Sequence, residues 1–247
     1  MRPIKLLSLC FAFAICAAGA RAQDMAAADI LKKTDSVRSP SPNFVFAVHL
    51  QSKTRSGQSE SEFEVSVRES TKSLVLYRQP LKQRGRAMLL DGPNMWIHIP
   101  GTNRPIRISA QQQLVGAVSN ADVARVVFSI DYDTDRIEKL RMGDAPALKL
   151  SLRAKQRTSS YQTVNLWVGD QDYRPLKAEF FSLSGKLVRT IHYGGYKPVL
   201  GRLRPTVLEI SDAINPSVSA TLTFSDFKVK ETPAEYYQPS YLGRLSH

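Results

Sequence analysis

The sequence predicts a mainly β protein with a few helices: a curved antiparallel sheet forming an open half-barrel under a helical lid. Three observations predict it. From Asn43 onward, apolar and polar residues alternate in short runs with a period of two. Turn residues recur between those runs, at Ser56-Gly57, Asp91-Gly92-Pro93-Asn94, Pro100-Gly101, Ser184-Gly185 and Asn215-Pro216. Helical patterning is confined to the stretch before the first run and to one interruption in mid-chain. A long series of short antiparallel strands does not stay flat, so the sheet is expected to curl and to leave a concave face that needs cover.

At the N-terminus, Arg2 and Lys5 stand at the start of an apolar run that reaches Ala18, and Ala20-Arg21-Ala22 places small residues where a signal peptidase reads them. Residues 1–22 therefore read as a cleaved signal peptide, with cleavage before Gln23, and residues 23–247 as a single domain. The run is shorter than the roughly 20 apolar residues that a spanning helix needs. Both cysteines, Cys10 and Cys16, fall inside this leader. The exported chain would then have no disulfide, no thiol nucleophile and no cysteine metal site, and its core alone would hold it together.

After the leader, Ala26 to Lys33 is a run of good helix formers that Ser39-Pro40-Ser41-Pro42 stops. Strands are expected near 43–55, 60–69, 72–79, 85–91, 94–99 and 105–108. The alternation then fails between Gln111 and Phe128. There Ser119 and Asn120 offer a cap, and Val123, Val126 and Val127 are spaced by three and four, which predicts one or two short helices. Strands resume near 135–142, 145–156, 161–169, 175–182, 186–196, 202–212 and 217–229.

With 34 Lys and Arg against 22 Asp and Glu, the chain is basic, with a formal charge of +12. Such a balance draws a protein toward anionic membrane surfaces or acidic partners. Nucleic acid is disfavoured, because the leader implies export and no recognition motif is present. Basic residues such as Lys82, Arg84 and Arg86, or Lys149, Arg153, Lys155 and Arg157, sit at near-alternate positions, the pattern of solvated strand faces.

Chemistry-bearing motifs are scarce. Asp131-Tyr132-Asp133-Thr134-Asp135 imitates the opening of a calcium loop, but the sixth position is Arg136 rather than glycine and the twelfth is Met142 rather than glutamate. The histidines His49, His98, His192 and His247 lack zinc-helix spacing, and there is no nucleophile elbow, phosphate loop or dinucleotide fingerprint. No metal or cofactor is implied. What remains is apolar surface. The inner face is expected to carry Phe46, Val65, Val67, Leu74, Leu76, Leu90 and Trp96 or its neighbour Ile97, and the lid Leu114, Val118, Val123, Val126 and Phe128. Each fits a packed core as well. A sheet roofed by short helices also offers a dry apolar cavity for lipid.

Met95-Trp96-Ile97-His98-Ile99-Pro100, Arg104-Pro105-Ile106-Arg107-Ile108 and Leu114 to Ala124 resemble, in that order, the central signature of exported outer-membrane lipoprotein-sorting proteins. Leu166-Trp167-Val168, Tyr173 to Phe181 and Ser184-Gly185-Lys186-Leu187 resemble the paired strands of the same family. The resemblance spans roughly Asp29 to Leu242. It implies a LolA/LolB-like unclosed barrel with a lid over an acyl-chain cavity, no enzymatic activity, and carriage of lipids or lipoproteins across the periplasm of a Gram-negative envelope. An RND-type inner-membrane transporter is an implied partner. An arginine inside the barrel latches the lid in such carriers, but no motif matches that residue to one position here. A regulatory sensor on the same fold and a periplasmic hydrolase stand as alternatives.

Overall fold

The computed structural model describes residues 27–39, 41–110, 112–124, 127–157 and 161–245. The leader assigned to residues 1–22 lies outside them. Helix α1 covers 27–38 and ends beside Pro40, since the residue before a proline avoids the helical region. The strands of the first half are β1 (Phe44–Thr54), β2 (Gly57–Arg68), β3 (Lys72–Gln79), β4 (Ala87–Asp91), β5 (Asn94–His98) and β6 (Ile106–Ile108). A small hairpin follows, β7 (Gln113–Val115) with β8 (Val118–Ser119), and then the short helices α2 (Asn120–Ala124) and α3 (Phe128–Asp131). The second half contributes β9 (Tyr132–Met142), β10 (Ala145–Ala154), β11 (Thr163–Gly169), β12 (Pro175–Phe181), β13 (Leu187–Gly194), β14 (Lys197–Val199), β15 (Arg202–Arg204), β16 (Val207–Asp212) and β17 (Ser219–Val229).

Thirteen of these strands form one antiparallel sheet in the order β6-β5-β4-β3-β2-β1-β17-β16-β13-β12-β11-β10-β9. The first and last strands meet at its centre, and its two edges, β6 and β9, do not pair with each other. The sheet is therefore an unclosed barrel, as the sequence predicts.

Two details depart from the sequence reading. The expected strand over 202–212 is divided at Pro205-Thr206, because proline cannot donate to a ladder; β15 leaves the sheet and pairs only with β14. Residues 113–119, expected as helix, form the β7–β8 hairpin instead. Its turn at Gly116 has φ 54°, the left-handed region that favours glycine. The lid is thus half hairpin and half helix.

Register fixes which face looks inward. Cross-strand rows on the concave side run Phe44-Val67-Ser73-Leu90-Met95-Ile108 and Phe46-Val65-Val75-Met88-Ile97. They join Leu148, Leu150 and Leu152 of β10 and Val164, Leu166 and Val168 of β11 in one continuous core. Leu74, Leu76 and Trp96 have the opposite parity and lie on the convex face. There Leu74, Ala87 and Leu89 are covered by Tyr237 and Leu242 from the C-terminal 3-10 segments Ala234–Tyr237 and Pro239–Leu245, with Leu76 and Trp96 packed alongside. The Thr232 and Tyr237 hydroxyls, 2.6 Å apart, hold the segment in place.

Candidate functional site

The concave face is roofed by α1, the β7–β8 hairpin, α2 and α3. Helix α1 buries Ala27, Leu31, Thr34 and Asp35, one stripe at three- and four-residue spacing, and exposes Ala28, Asp29, Lys32 and Lys33. Two polar contacts fasten that stripe. The Thr34 hydroxyl donates to the Tyr173 carbonyl at 2.9 Å. The Asp35 carboxylate accepts the backbone N–H groups of Phe128 and Ser129, at 3.0 and 2.8 Å. Helix α3 has no side-chain cap of its own at Val127, so Asp35 supplies from a different helix what an N-cap residue would supply locally.

The other roof helix is fastened from inside the sheet. Asp122, three residues after Ser119, reaches back to accept the Ser119 backbone N–H at 2.8 Å and its hydroxyl at 2.9 Å, the reach-back half of a capping box. The same carboxylate oxygen accepts a hydrogen bond from Arg189 of β13, whose side chain points into the concave interior. Arg189 is 3% exposed. Its guanidinium lies 4.5 Å from the ring centres of both Tyr161 and Phe180. Burial is the largest single influence and lowers the Arg189 pKa, but the charge and hydrogen bond of Asp122, together with Tyr161 and Tyr193, raise it above the ordinary arginine value. Among the described residues Arg189 Nε and Nη2 find no hydrogen-bond partner, so there the Asp122 carboxylate is the acceptor that answers this buried guanidinium.

Next to this pair the lid leaves a notch of about 60 Å³. Phe44, Phe46, Leu208, Phe224 and Phe227 of the sheet line it, together with Val123, Pro205, Arg38 and Asp122. Phe46 stacks on Phe227 at 5.3 Å and meets Phe224 edge-on at 5.8 Å, so the mouth is aromatic. Sites for lipid-sized ligands measure roughly 300–1,000 Å³. The notch by itself is smaller than such a site. Val118, Val123 and Phe128 of the lid are buried in the same core as the strands.

Of the residues expected at the cavity, Phe46, Val65, Val67, Leu90 and Ile97 share the concave face, whereas Leu74, Leu76 and Trp96 face away from it. In the lid, Val118, Val123 and Phe128 are buried and Leu114 packs partly buried against them, while Val126 lies outside the described residues. Sequence reasoning missed Arg189 and Asp122. The signal was present: Arg189 alternates with Ile191 and Tyr193, so it occupies a core-facing position of an otherwise apolar face.

Other groups singled out in the sequence are engaged in ordinary contacts. Asp133 and Asp135 of the calcium-like stretch pair with Lys155 and Arg153. His49 faces Glu60 at 3.4 Å, and His98 Nε2 lies 3.1 Å from the Thr102 carbonyl. Among the described residues no group of three or more His, Cys, Asp or Glu is arranged to hold a metal ion, and no helix is long and apolar enough to cross a membrane.

A family model whose description reads uncharacterized protein matches residues 69–244. A LolA superfamily protein from Nitrosomonas europaea is 32% identical, covers 87% of this chain and 98% of its own, and superposes with a TM-score of 0.82. An outer-membrane lipoprotein-sorting protein domain from Vibrio parahaemolyticus, 18% identical, covers 90% and 100% with a TM-score of 0.77. A DUF1329 family protein from Desulfovibrio piger, 16% identical, covers 89% and 98% with a TM-score of 0.73. No curated protein matches the chain.

Proposed function

The chain belongs to the LolA superfamily, and from that premise we propose that it is a carrier, not an enzyme, that shields acyl chains of lipids or lipoproteins between sheet and lid. The basic, signal-like N-terminus supports a place in the periplasm of a Gram-negative envelope. There the carrier takes cargo from an inner-membrane transporter of the RND type and delivers it toward the outer membrane.

One observation carries this reading: the lid is tied to the barrel by a buried ion pair, Arg189 with Asp122. A buried pair gains little over well-packed apolar residues, because desolvation costs about as much as the attraction returns. It suits a joint that must form in one defined geometry and part again. When lid and sheet separate, both groups regain water, and the apolar rows beneath become available to hydrocarbon. Each methylene then buried gains about 0.8 kcal/mol, so a chain of ordinary length offsets the loss of lid packing only if most of it is covered. The about 60 Å³ notch at the aromatic mouth is where entry begins.

Lipid extraction and native mass spectrometry of the protein purified from an envelope fraction test the reading. Co-purified lipid that exchanges with added phospholipid or acylated peptide is the expected result. Protein that neither retains lipid nor takes up an acyl probe overturns it.

A further inference from the structure

The β14–β15 hairpin stands outside the main sheet. Val199 pairs with Arg202, which leaves Leu200 and Gly201 as a two-residue turn with both φ angles positive, 46° and 78°. This is the geometry of the tight hairpin turns whose first central position suits Asn, Asp or Gly. A leucine there is strained. Its side chain does not compensate by burial: Leu200 is 42% exposed and Leu203 48% exposed. Lys197, Pro198, Gly201 and Arg202 are exposed as well. Between Glu179 and Glu209 the chain has no acidic residue, although it includes Lys186, Lys197 and Arg202. The hairpin thus carries two exposed aliphatic side chains with Lys197 and Arg202 and no carboxylate of its own; the carboxylate beside its base, Asp172, is paired with Arg174.

The hairpin is also held in place. Arg204, at its base, turns inward, and its Nη1 donates to the carbonyls of Ser36 and Val37 at the end of α1, at 2.9 and 2.5 Å. Its Nε donates to Val199 across the hairpin at 3.2 Å. The next residue, Pro205, lines the notch together with Arg38 of α1. The base of the hairpin therefore borders the mouth through which cargo would pass, and the aliphatic tip projects from that base.

We propose that the β14–β15 hairpin docks the protein on an anionic lipid bilayer, with Leu200 and Leu203 entering the interfacial layer and Lys197 and Arg202 meeting the phosphate groups. The inference rests on the carrier reading for its purpose. Charge complementarity selects this occupant: an acid-free basic tip matches an anionic surface, and a bilayer takes two leucines without needing a shaped pocket. Two aliphatic side chains and a few cations give weak, reversible attachment, which lets a shuttle leave again. Because the base of the hairpin borders the notch lined by Phe46, Phe224 and Phe227, docking by the tip keeps that mouth within a hairpin's length of the lipid.

Flotation with vesicles of phosphatidylglycerol and phosphatidylethanolamine, against vesicles of phosphatidylcholine alone, tests the proposal. Wild type should float with the anionic vesicles, less at high salt, and little with the neutral ones. The pair Leu200→Asn with Leu203→Ser should lower binding at least about tenfold. Its circular dichroism should be unchanged and its melting temperature no lower than that of wild type, since Asn relieves the left-handed strain at position 200 and both positions are exposed. Lys197→Gln with Arg202→Gln should reduce anionic binding to the neutral-vesicle level. Equal binding of wild type to both vesicles, no binding to either, or undiminished flotation of the leucine variant overturns the proposal. Lipid extracted from the same preparations separates the two readings. A leucine variant that keeps its lipid but no longer floats supports docking apart from carriage. Wild type that floats but never holds lipid supports docking and counts against carriage.

Discussion

Gly116 at the turn of the β7–β8 hairpin lies against Ser52 of β1, so close that a Cβ at position 116 would stand 2.0 Å from the Ser52 hydroxyl oxygen. Its positive φ adds a second reason for glycine. Gly116→Ala must turn the Ser52 hydroxyl aside and hold a strained backbone, and should loosen the hairpin at a cost of about 1 to 2 kcal/mol. Urea unfolding would report the loss, and hydrogen exchange should quicken over 113–119 while β10 and β11 stay protected. Unchanged exchange in the hairpin would contradict the close approach.

Removing one partner of the inner ion pair should cost far more than removing both. Asp122→Ala leaves the Arg189 guanidinium buried without its counter-charge, a loss of about 3 to 5 kcal/mol. Combined with Arg189→Met, the same substitution should recover most of that stability. A double-mutant cycle by urea denaturation measures the coupling, and additive losses would show that the two groups act independently.

Asp35→Ala removes the carboxylate that caps α3 from α1. The expected cost is about 1 to 2 kcal/mol, at the upper part of the range for lost caps because the Phe128 N–H it serves is buried and the Ser129 N–H partly so. Exchange of the Phe128 and Ser129 amides is the readout; protection equal to wild type would refute the role.

On the convex face, Leu242→Ala should cost about 2 to 5 kcal/mol, since Leu242 is completely buried against Leu74, Ala87 and Leu89. Trp96 emission should shift to the red while lipid content stays unchanged, because this cluster lies on the far side of the sheet from the lid. Loss of lipid with an intact fold would argue against that separation.

Alkali should weaken the fold through its buried phenols. Burial pushes the Tyr77 hydroxyl up to about 12, opposed only in part by Arg86. A folded-state pKa above the unfolded value means that the folded state holds its proton more tightly. The corresponding stability is complete below about pH 10 and is lost as pH rises through about 12, an effect of about 2 to 3 kcal/mol for this residue. Urea midpoints between about pH 9 and pH 12 should fall, and fall less steeply in Tyr77→Phe.

The strands and their antiparallel order of succession were legible because alternation and turn residues are local signals. The face of Val65 and Val67 is legible locally, because they alternate with Glu64 and Ser66 in β2. That of Phe46, Leu74 and Leu76 is not, because β1 opens Phe44-Val45-Phe46-Ala47-Val48, β3 reads Leu74-Val75-Leu76 and β4 reads Met88-Leu89-Leu90, apolar on both faces. Only the register from β2 across to β3 decides between them, and the reason for two apolar faces lies far away in the chain, in Tyr237 and Leu242. Arg189 and Asp122 are separated by 67 residues. Each reads alone as an ordinary charge, and their meeting is a product of the tertiary structure.

The two outermost strands, β6 and β9, leave a seam that no ladder crosses. A closed cylinder has its girth set by strand number and shear, and swelling it means breaking backbone pairs. A seamed one changes girth by altering the twist between neighbours while every rung survives. The diameter of this half-pipe is thus an elastic quantity, and the bulk it can wrap is not fixed by its resting shape.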